Sequence, residues 1–219
     1  MIPRILHFNY FWEPMPEWAR DTVEEYRAML PGWEIRVHET LPDGMPGGVV
    51  KALDWPPTYR FKSDIVRYWI IYTQGGVYVD VDTRPLRPVD RVLEHDAFIS
   101  LYMNRTDIPD NFFIGGVPGH PFWQRAVERC QHPEEWKYDA VWFGAANANG
   151  CDWLKGGATV LPADFTEELG DPMEVRELKR PRGAPVVRNK RAYLKHYRVC
   201  GATEIQVPTF VRNGVPFYC

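Results

Sequence analysis

The amino-acid sequence predicts a single α/β domain in which helices flank a mostly parallel central sheet. The first observation is a strand–helix–strand opening, with an apolar strand at residues 2–8, an amphipathic helix at 17–30 and a strand at 33–39. The second is that strands and helices continue to alternate beyond this unit. The third is the length of 219 residues, which fits one domain with a substantial core. We therefore expect one domain over residues 1–219.

The elements after this opening follow from glycines, prolines and the spacing of apolar residues. A Gly/Pro-rich connection at residues 41–48 leads to a helix at 58–74, whose apolar residues recur every three or four positions. Gly75 and Gly76 are expected to end that helix. The later elements are strands at 97–103 and 112–114, a helix that opens at Pro121, and a C-terminal hairpin with Asn213 and Gly214 at its tip.

A valine-rich strand at residues 77–82 carries the first candidate site. Alternation along this strand predicts that the valines 77, 79 and 81 share the core face, while Tyr78, Asp80 and Asp82 share the other. Two aspartates on one strand face lie roughly 6.6 Å apart at their Cα atoms, so both can reach one hard cation. The pair therefore indicates a site for Mg²⁺ or Mn²⁺ that bridges a diphosphate.

The preceding helix carries a second pair of charged residues, Asp64 and Arg67. They are neighbours on one helix face, because residues three apart lie above one another in an α-helix. One interpretation is an intrahelical ion pair. The other is that Asp64 accepts from sugar hydroxyls while Arg67 donates to the sugar or the phosphate. The spacing alone leaves both open.

Together these segments resemble the glycosyltransferase sugar-binding region that contains the DXD motif. The likeness rests on Ser63-Asp64-Ile65-Val66-Arg67-Tyr68, on Gly75 to Asp82, and on the opening residues 2–12 with their cluster of aromatics. It covers residues 2 to about 125. The resemblance implies a GT-A-type domain, a nucleotide-sugar donor such as a UDP- or GDP-sugar, Mn²⁺ or Mg²⁺ as the cofactor, and retention at the anomeric carbon.

The resemblance also implies a role for individual residues. Asp82 and Asp80 would bind the metal, and together with Asp64 and Arg67 they form the predicted catalytic set. Ser63, Asp64 and Arg67 would hold the sugar, and the segment with His7, Phe8 and Tyr10 would receive the base. Asn111 and His120 resemble the family's segment that runs from an asparagine to a His-Pro pair, although a histidine beside a helix start also serves as a structural cap. Residues 1–125 would then be the nucleotide-sugar-binding core and residues 126–219 the acceptor side.

The C-terminal third departs from the family pattern and is strongly basic. His196 is a candidate third ligand for the metal, although no tryptophan follows it as the family pattern requires. Residues 176–198 hold nine Lys/Arg against one acid, a local charge of +8 in a chain with a net charge of −3. We therefore expect an acceptor with a hydroxyl group, such as a glycan, that is anionic or even a nucleic acid. The alternatives are a solvated basic segment, or Lys195 or Arg198 reaching the donor diphosphate beside His196.

The aspartate motif also fits two other functions. Residues 77–83 also fit the D-x-D-x-T motif of haloacid-dehalogenase-like phosphatases, in which Asp80 would be the nucleophile. A non-catalytic module that binds nucleotide sugars would use the same residues as a transferase. The short apolar run at the N-terminus, the widely spaced cysteines and the absence of an apolar stretch of eighteen residues predict a cytoplasmic protein without a transmembrane segment.

Overall fold

The computed structural model describes most of the first 131 residues and several short segments after them. The described residues are 1–11, 13–54, 59–101, 109–131, 157–161, 166–169, 194–197, 210–212 and 215–217.

Four α-helices and eleven strands are found in these segments. The helices are α1 (Glu17–Met29), α2 (Gly47–Ala52), α3 (Tyr59–Gln74) and α4 (Pro121–Cys130), with a 3₁₀ turn at Asp90–Glu94. The strands are β1 (Ile5–Asn9), β2 (Glu34–His38), β3 (Gly76–Val79), β4 (Thr83–Pro85), β5 (Ala97–Leu101), β6 (Pro109–Gly116), β7 (Thr159–Val160), β8 (Thr166–Leu169), β9 (Leu194–Tyr197), β10 (Phe210–Arg212) and β11 (Val215–Phe217).

The central sheet is mixed, with six described strands in the order β2-β1-β3-β6-β5-β7. β1 is parallel to β2 and β3, and β5 is parallel to β7. The antiparallel ladders are the two that β6 makes with β3 and β5. Five of the six strands therefore run in one direction, and the predicted α/β fold with a mostly parallel sheet is confirmed.

The helices cover both faces of this sheet, and each face has its own apolar core. α2, α3 and α4 pack on one face with the Tyr78 side chain, while α1 and the 3₁₀ turn pack on the other with Val77 and Val79. All three β3 side chains are at most 1% exposed. The predicted alternation of valines and Tyr78 is confirmed, and it places the end of β3 between α1 and α3.

Two glycines set the direction in which the chain leaves α3. Gly75 and Gly76 have φ angles of +65° and +91°, which strongly favour glycine. A Cβ atom on Gly76 would lie 2.6 Å from the Ile5 carbonyl oxygen. The glycine pair therefore lets β3 start directly against β1.

The structure differs from the sequence prediction in two places near the site. A short helix, α2, occupies part of the predicted Gly/Pro-rich connection, because Val49 and Ala52 bury an apolar face there. The strand predicted over residues 77–82 ends at Val79. Asp80 to Asp82 instead form a turn, closed by a hydrogen bond of 2.9 Å from the Thr83 N–H to the Asp80 carbonyl.

Two smaller sheets follow this turn. β4 leaves the central sheet and pairs antiparallel with β9, which is parallel to β8. β10 and β11 pair antiparallel as the predicted C-terminal hairpin, and the two residues at its tip lie outside the described residues. The basic segment is likewise outside them, except for the backbone of β9.

Candidate active site

The Asp80-Val81-Asp82 turn lies at the carboxyl end of β3, so the two aspartates are not on one strand face as the alternation predicted. In α/β sheets this edge is the usual place for ligand binding. Asn9, the last residue of β1, ends at the same edge, since β1 and β3 are parallel neighbours. β6 runs the opposite way and brings Asn111 to it, next to Phe112, whose carbonyl accepts from the Asp80 N–H at 2.8 Å.

Arg67 joins the α3 helix to this turn through a buried ion-pair network. Its Nη2 atom lies 2.9 Å from an oxygen of Asp64 and 2.9 Å from Oδ1 of Asp80. The Arg67 side chain is only 3% exposed, whereas the Asp80 side chain is 26% exposed. Arg67 thus links Asp64, its partner on the helix, to Asp80, the first aspartate of the turn.

The remaining donors of Arg67 are also used within the protein. Its Nη1 atom donates to the backbone and side-chain oxygens of Asn111 at 2.8 and 3.0 Å. Nε and Nη2 donate to the carbonyl and hydroxyl oxygens of Ser63 at 3.3 and 3.2 Å. Burial alone would lower the pKa of Arg67, but the charges of Asp80 and Asp64 raise that pKa above its ordinary value. Arg67 therefore stays charged and holds the carboxylates in place.

Tyr78 supplies a second hydrogen bond to Asp80. Its hydroxyl donates to the Asp80 Oδ1 atom at 2.9 Å and lies 3.3 Å from the Ser63 hydroxyl. The Arg67 guanidinium carbon lies 4.4 Å from the centre of the Tyr78 ring, a cation–π distance. Burial raises the pKa of Tyr78 well above its usual value, so the hydroxyl remains a donor. The orientation of Asp80 is therefore fixed from the α3 side.

The residues on either side of Asp82 pack toward the opposite layer of the fold. Val81 packs against the α1-side core, and α1 packs on β4, the strand that begins after Asp82. Asp82 is half-buried, and its Oδ1 atom is a buried atom. The chain that follows Asp80 thus packs toward α1, whereas Asp80 itself is held from the α3 side.

His196 is brought close to this turn by strand pairing. β9 runs antiparallel to β4 with His196 opposite Thr83, the residue that follows Asp82. The structure describes the backbone of this strand only. The position agrees with the predicted third ligand, which stays a prediction.

The structure does not bring two of the predicted substrate contacts to this edge. The His7 ring is buried and hydrogen-bonds to the Gly75 carbonyl at 2.9 Å, which is at the amino end of β3. His120 caps α4 by accepting from the Phe122 N–H at 3.2 Å, beyond the end of β6 at the same amino edge. That edge is roughly 13 Å from the turn, since four strand residues of about 3.3 Å each separate them. His120 thus follows the structural alternative for a histidine beside a helix start.

The other predicted base contacts lie nearer the turn but are buried. Phe8 is a core residue whose ring packs edge-on against Tyr26 at 5.4 Å. Tyr10 follows β1 at the carboxyl edge, and its hydroxyl donates to Glu13 at 3.1 Å. Burial and this contact raise the pKa of Tyr10 to about 12.

Two residues of the site were missing from the predicted set, namely Asn9 and Tyr78. Asn9 is buried and donates to the Ser63 carbonyl at 3.3 Å. A polar residue that ends an apolar strand is the sequence signal that would have found it. Tyr78 alternates with the aspartates on the predicted strand, which is also a visible signal.

The turn has the donor set that a hard divalent cation requires. Mg²⁺ and Mn²⁺ are commonly held by one or two carboxylates together with oxygens of substrate phosphates and water. Asp80 and Asp82 supply two carboxylates at one turn, and the described residues contain no group of three or more His, Cys, Asp or Glu that could bind a metal by themselves. The residues therefore fit a cation that is shared with a diphosphate.

Comparisons with known proteins agree with this site. Residues 16–99 match the family described as the glycosyltransferase sugar-binding region containing the DXD motif. A mannosyl phosphorylinositol ceramide synthase of Saccharomyces cerevisiae is 31% identical over 157 residues, which cover 65% of this chain and 37% of that protein. An initiation-specific α-1,6-mannosyltransferase of Candida albicans is 29% identical over 133 residues, which cover 58% of this chain and 32% of that protein. The chain thus spans about a third of the length of these relatives.

The fold is shared with a solved glycosyltransferase. The crystal structure of a glycosyltransferase involved in the glycosylation of the major capsid of PBCV-1 superposes with a TM-score of 0.51 at 12% identity. The alignment covers 89% of this chain and 93% of that protein. At this identity the match shows the fold alone, and it agrees with the predicted GT-A-type α/β architecture.

The prediction of a cytoplasmic protein is wrong. It is overturned by the curated relatives, which are named as a mannosyl phosphorylinositol ceramide synthase and an initiation-specific α-1,6-mannosyltransferase. A short apolar run and widely spaced cysteines do not determine the compartment in which a domain works. Within the segments described above, no helix has the length and apolar character needed to cross a membrane.

The phosphatase interpretation finds no support in these comparisons, because the matching family and relatives are glycosyltransferases. The predicted resemblance is therefore confirmed over the segment that contains α1, α3, β3 and the aspartate turn. Residues 16–99 are thus similar to the glycosyltransferases with a DXD-containing sugar-binding region.

Proposed function

We propose that this chain is a metal-dependent glycosyltransferase that moves a sugar from a nucleotide diphosphate sugar to a hydroxyl acceptor. The observation that carries the proposal is the turn at the end of β3, in which Asp80 is fixed by Arg67 and Tyr78 while Asp82 lies two residues on. Residues 1–125 would form the donor site and residues 126–219 the acceptor side of one domain.

Asp80 and Asp82 would hold Mn²⁺ or Mg²⁺, with His196 as a proposed third ligand. A bound cation offsets the negative charge that develops on the leaving diphosphate, which is worth several kcal/mol in such reactions. The Arg67 guanidinium, 2.9 Å from Oδ1 of Asp80, already orients this carboxylate, so the aspartate would need no reorientation when the donor arrives.

Asp64 and Arg67 remain proposed sugar contacts. Both side chains are buried and are hydrogen-bonded within the protein. Donor binding would therefore exchange some of these internal hydrogen bonds for bonds to sugar hydroxyls. Asn111 and Ser63, which share the Arg67 network, would move with it or accept the sugar in its place. The base would lie against the segment that ends in Tyr10.

A mannosyl donor is the first candidate, because the two relatives are named for mannosyl transfer. GDP-mannose is therefore the first donor to test, with UDP-sugars as the comparison. The family resemblance further suggests retention at the anomeric carbon. Analysis of the product anomer by NMR would test that part separately.

The proposed acceptor is anionic. One relative is named for phosphorylinositol ceramide, a lipid with a phosphate group. Residues 176–198 carry a net charge of +8, and clustered cations raise the local concentration of anions. Replacing Arg180, Arg182, Lys190 and Arg191 with glutamine should slow transfer to a phosphorylated acceptor while donor hydrolysis stays unchanged. A parallel fall of both rates would assign the segment to the donor site instead.

The test of the main proposal is a panel of nucleotide sugars with Mn²⁺, scored for released nucleoside diphosphate. Asp82→Asn should lower donor turnover by roughly a hundredfold or more, because a lost metal interaction of a few kcal/mol costs tenfold per 1.4 kcal/mol. Asp43→Asn changes an exposed loop aspartate in the same way and should leave turnover unchanged. Full activity of Asp82→Asn at saturating Mn²⁺ would show that the turn does not perform this chemistry.

A further inference from the structure

The hydroxyl of Tyr26 is a buried polar group for which the described chain offers no hydrogen-bond partner. The Tyr26 side chain is 0% exposed and belongs to the core between α1 and the sheet. Buried hydroxyls are nearly always hydrogen-bonded, because an unsatisfied one has lost its water without replacement. Phenylalanine would fill the same space without that cost. The presence of a hydroxyl at this core position is therefore not explained by the stability of the folded protein.

The elements around Tyr26 are those that flank the aspartate turn. Its helix, α1, packs on β4, which begins directly after Asp82. The neighbouring residue Glu25 forms an ion pair of 3.3 Å with Arg84, two positions after Asp82. The Tyr26 ring is anchored edge-on against Phe8 in β1. These contacts fix the ring between the central sheet and the start of β4.

The charges around the hydroxyl agree with this placement. Burial raises the pKa of Tyr26 well above its usual value, and the carboxylates of Glu25 and Asp82 raise it further. The hydroxyl is therefore protonated at neutral pH and can serve as a hydrogen-bond donor. Glu25 is already engaged by Arg84, and the other acidic group that influences Tyr26 is Asp82.

We propose that Tyr26 is a positioning residue that donates a hydrogen bond to the Asp82 carboxylate when the metal and diphosphate are bound. The inference rests on the proposed function, since it assumes that Asp82 is a metal ligand. Groups that hydrogen-bond to a ligating carboxylate orient it, and their removal commonly costs 10- to 100-fold in metal affinity. Tyr26 on α1 would orient Asp82 by a hydrogen bond, as Tyr78 orients Asp80 from the α3 side.

The test is Tyr26→Phe, which removes only the hydroxyl. Mn²⁺ affinity is measured by EPR titration of the full chain in the presence of UDP or GDP, whichever binds wild type more tightly. We expect Mn²⁺ to bind about tenfold more weakly to Tyr26→Phe than to wild type. Tyr72→Phe makes the same change on α3, in the other layer of the fold, and should leave the affinity unchanged. In EDTA the urea midpoint of Tyr26→Phe should equal or exceed that of wild type, since no internal hydrogen bond is lost.

Different results would overturn different statements. If Tyr26→Phe binds Mn²⁺ as tightly as wild type while Asp82→Asn does not, the positioning role is wrong and the proposed metal site stands. If wild type and Asp82→Asn bind Mn²⁺ equally, the metal site itself is wrong. A lower urea midpoint of Tyr26→Phe in EDTA would show that the hydroxyl has a structural partner, and this too would overturn the inference.

Discussion

The two aspartates of the turn are supported in opposite ways by the two layers of the fold. On the α3 side, Asp80 is held by Arg67 and Tyr78 at 2.9 Å each, within a network that also contains Ser63 and Asn111. On the α1 side, the buried hydroxyl of Tyr26 lies near Asp82 without a hydrogen-bond partner in the described chain. On the α3 side the hydrogen bonds to Asp80 are already formed. On the α1 side the Tyr26 hydroxyl is a donor that forms its hydrogen bond only in the ligand-bound state proposed above.

Within one three-residue turn, the contacts of Asp80 are therefore expected to contribute to stability, and the proposed contact of Asp82 to ligand binding. A satisfied buried network stabilises the folded state and fixes its geometry, so its removal should be seen in the free energy of unfolding. An unsatisfied buried donor lowers stability and gains its bond only when a ligand reorganises the site. Substitutions on the two sides should therefore differ in sign as well as in size.

The largest effect is expected for Arg67→Met. The change leaves the buried Asp64 carboxylate and the half-buried Asp80 carboxylate without their cation, and breaking a buried ion pair typically costs about 3–5 kcal/mol. Urea unfolding measures the loss. Arg67→Lys should recover part of it, since lysine keeps the charge but not the fork of donors.

Arg27→Met is the matched control for this prediction. Arg27 and Glu24 are also an i, i+3 pair on a helix, at 3.2 Å, but their side chains are 49% and 71% exposed. An exposed pair contributes less than about 1 kcal/mol. Equal losses for Arg67→Met and Arg27→Met would contradict the view that the α3 network stabilises the fold.

The next effect concerns the two tyrosines. Tyr78→Phe removes a donor to the charged Asp80 carboxylate, and a hydrogen bond to a charged group contributes about 1.5–3 kcal/mol. We expect Tyr78→Phe to lower the free energy of unfolding by that amount in EDTA, while Tyr26→Phe leaves it unchanged or raises it. Urea titrations of the two variants side by side measure the difference. A loss of the same size in both would remove the distinction between the two layers.

Much of the α3 side could be predicted from the sequence. The spacing of Asp64 and Arg67 offered the helical ion pair as one of two interpretations, and the alternation of valines with Tyr78 predicted the faces of β3. Gly75 and Gly76 marked the end of the helix. These are local rules, in which a residue's neighbours in the chain are also its neighbours in space.

The remaining features depend on contacts between distant segments. The 2.9 Å contact of Arg67 with Asp80 and the approach of Asn111 require the antiparallel strand β6, whose direction no local pattern reveals. Tyr26 has the appearance of an ordinary core residue of α1 until β4 is placed against that helix. His120 follows a motif in the sequence, yet β6 carries it to the opposite edge of the sheet. Sequence spacing therefore predicted several residues of the site, but not which of these residues contact one another.

The smallest effect is a pH dependence of the free energy of unfolding. It arises from His7 and His38, near the start of β3. The His7 and His38 rings lie 3.0 Å apart, and His7 also bonds to the Gly75 carbonyl. Burial and the neighbouring His38 lower the pKa of His7 to about 3, and burial lowers the pKa of His38 to about 4. The unfolded chain therefore takes up protons below pH 6.5 while the folded chain does not. Falling pH thus favours unfolding in the window between about pH 6.5 and pH 4.

For His7 alone, stability should fall by about 1.4 kcal/mol between pH 7.5 and pH 5.5, where few carboxylates titrate. Urea unfolding at both pH values measures this loss, and His7→Gln should reduce it because glutamine does not titrate. NMR of the His7 ring gives a direct check, since its chemical shift should stay constant over this range. A shift that titrates near pH 6.5 would contradict the buried neutral pair, and the acid sensitivity would then have to come from elsewhere than the start of β3.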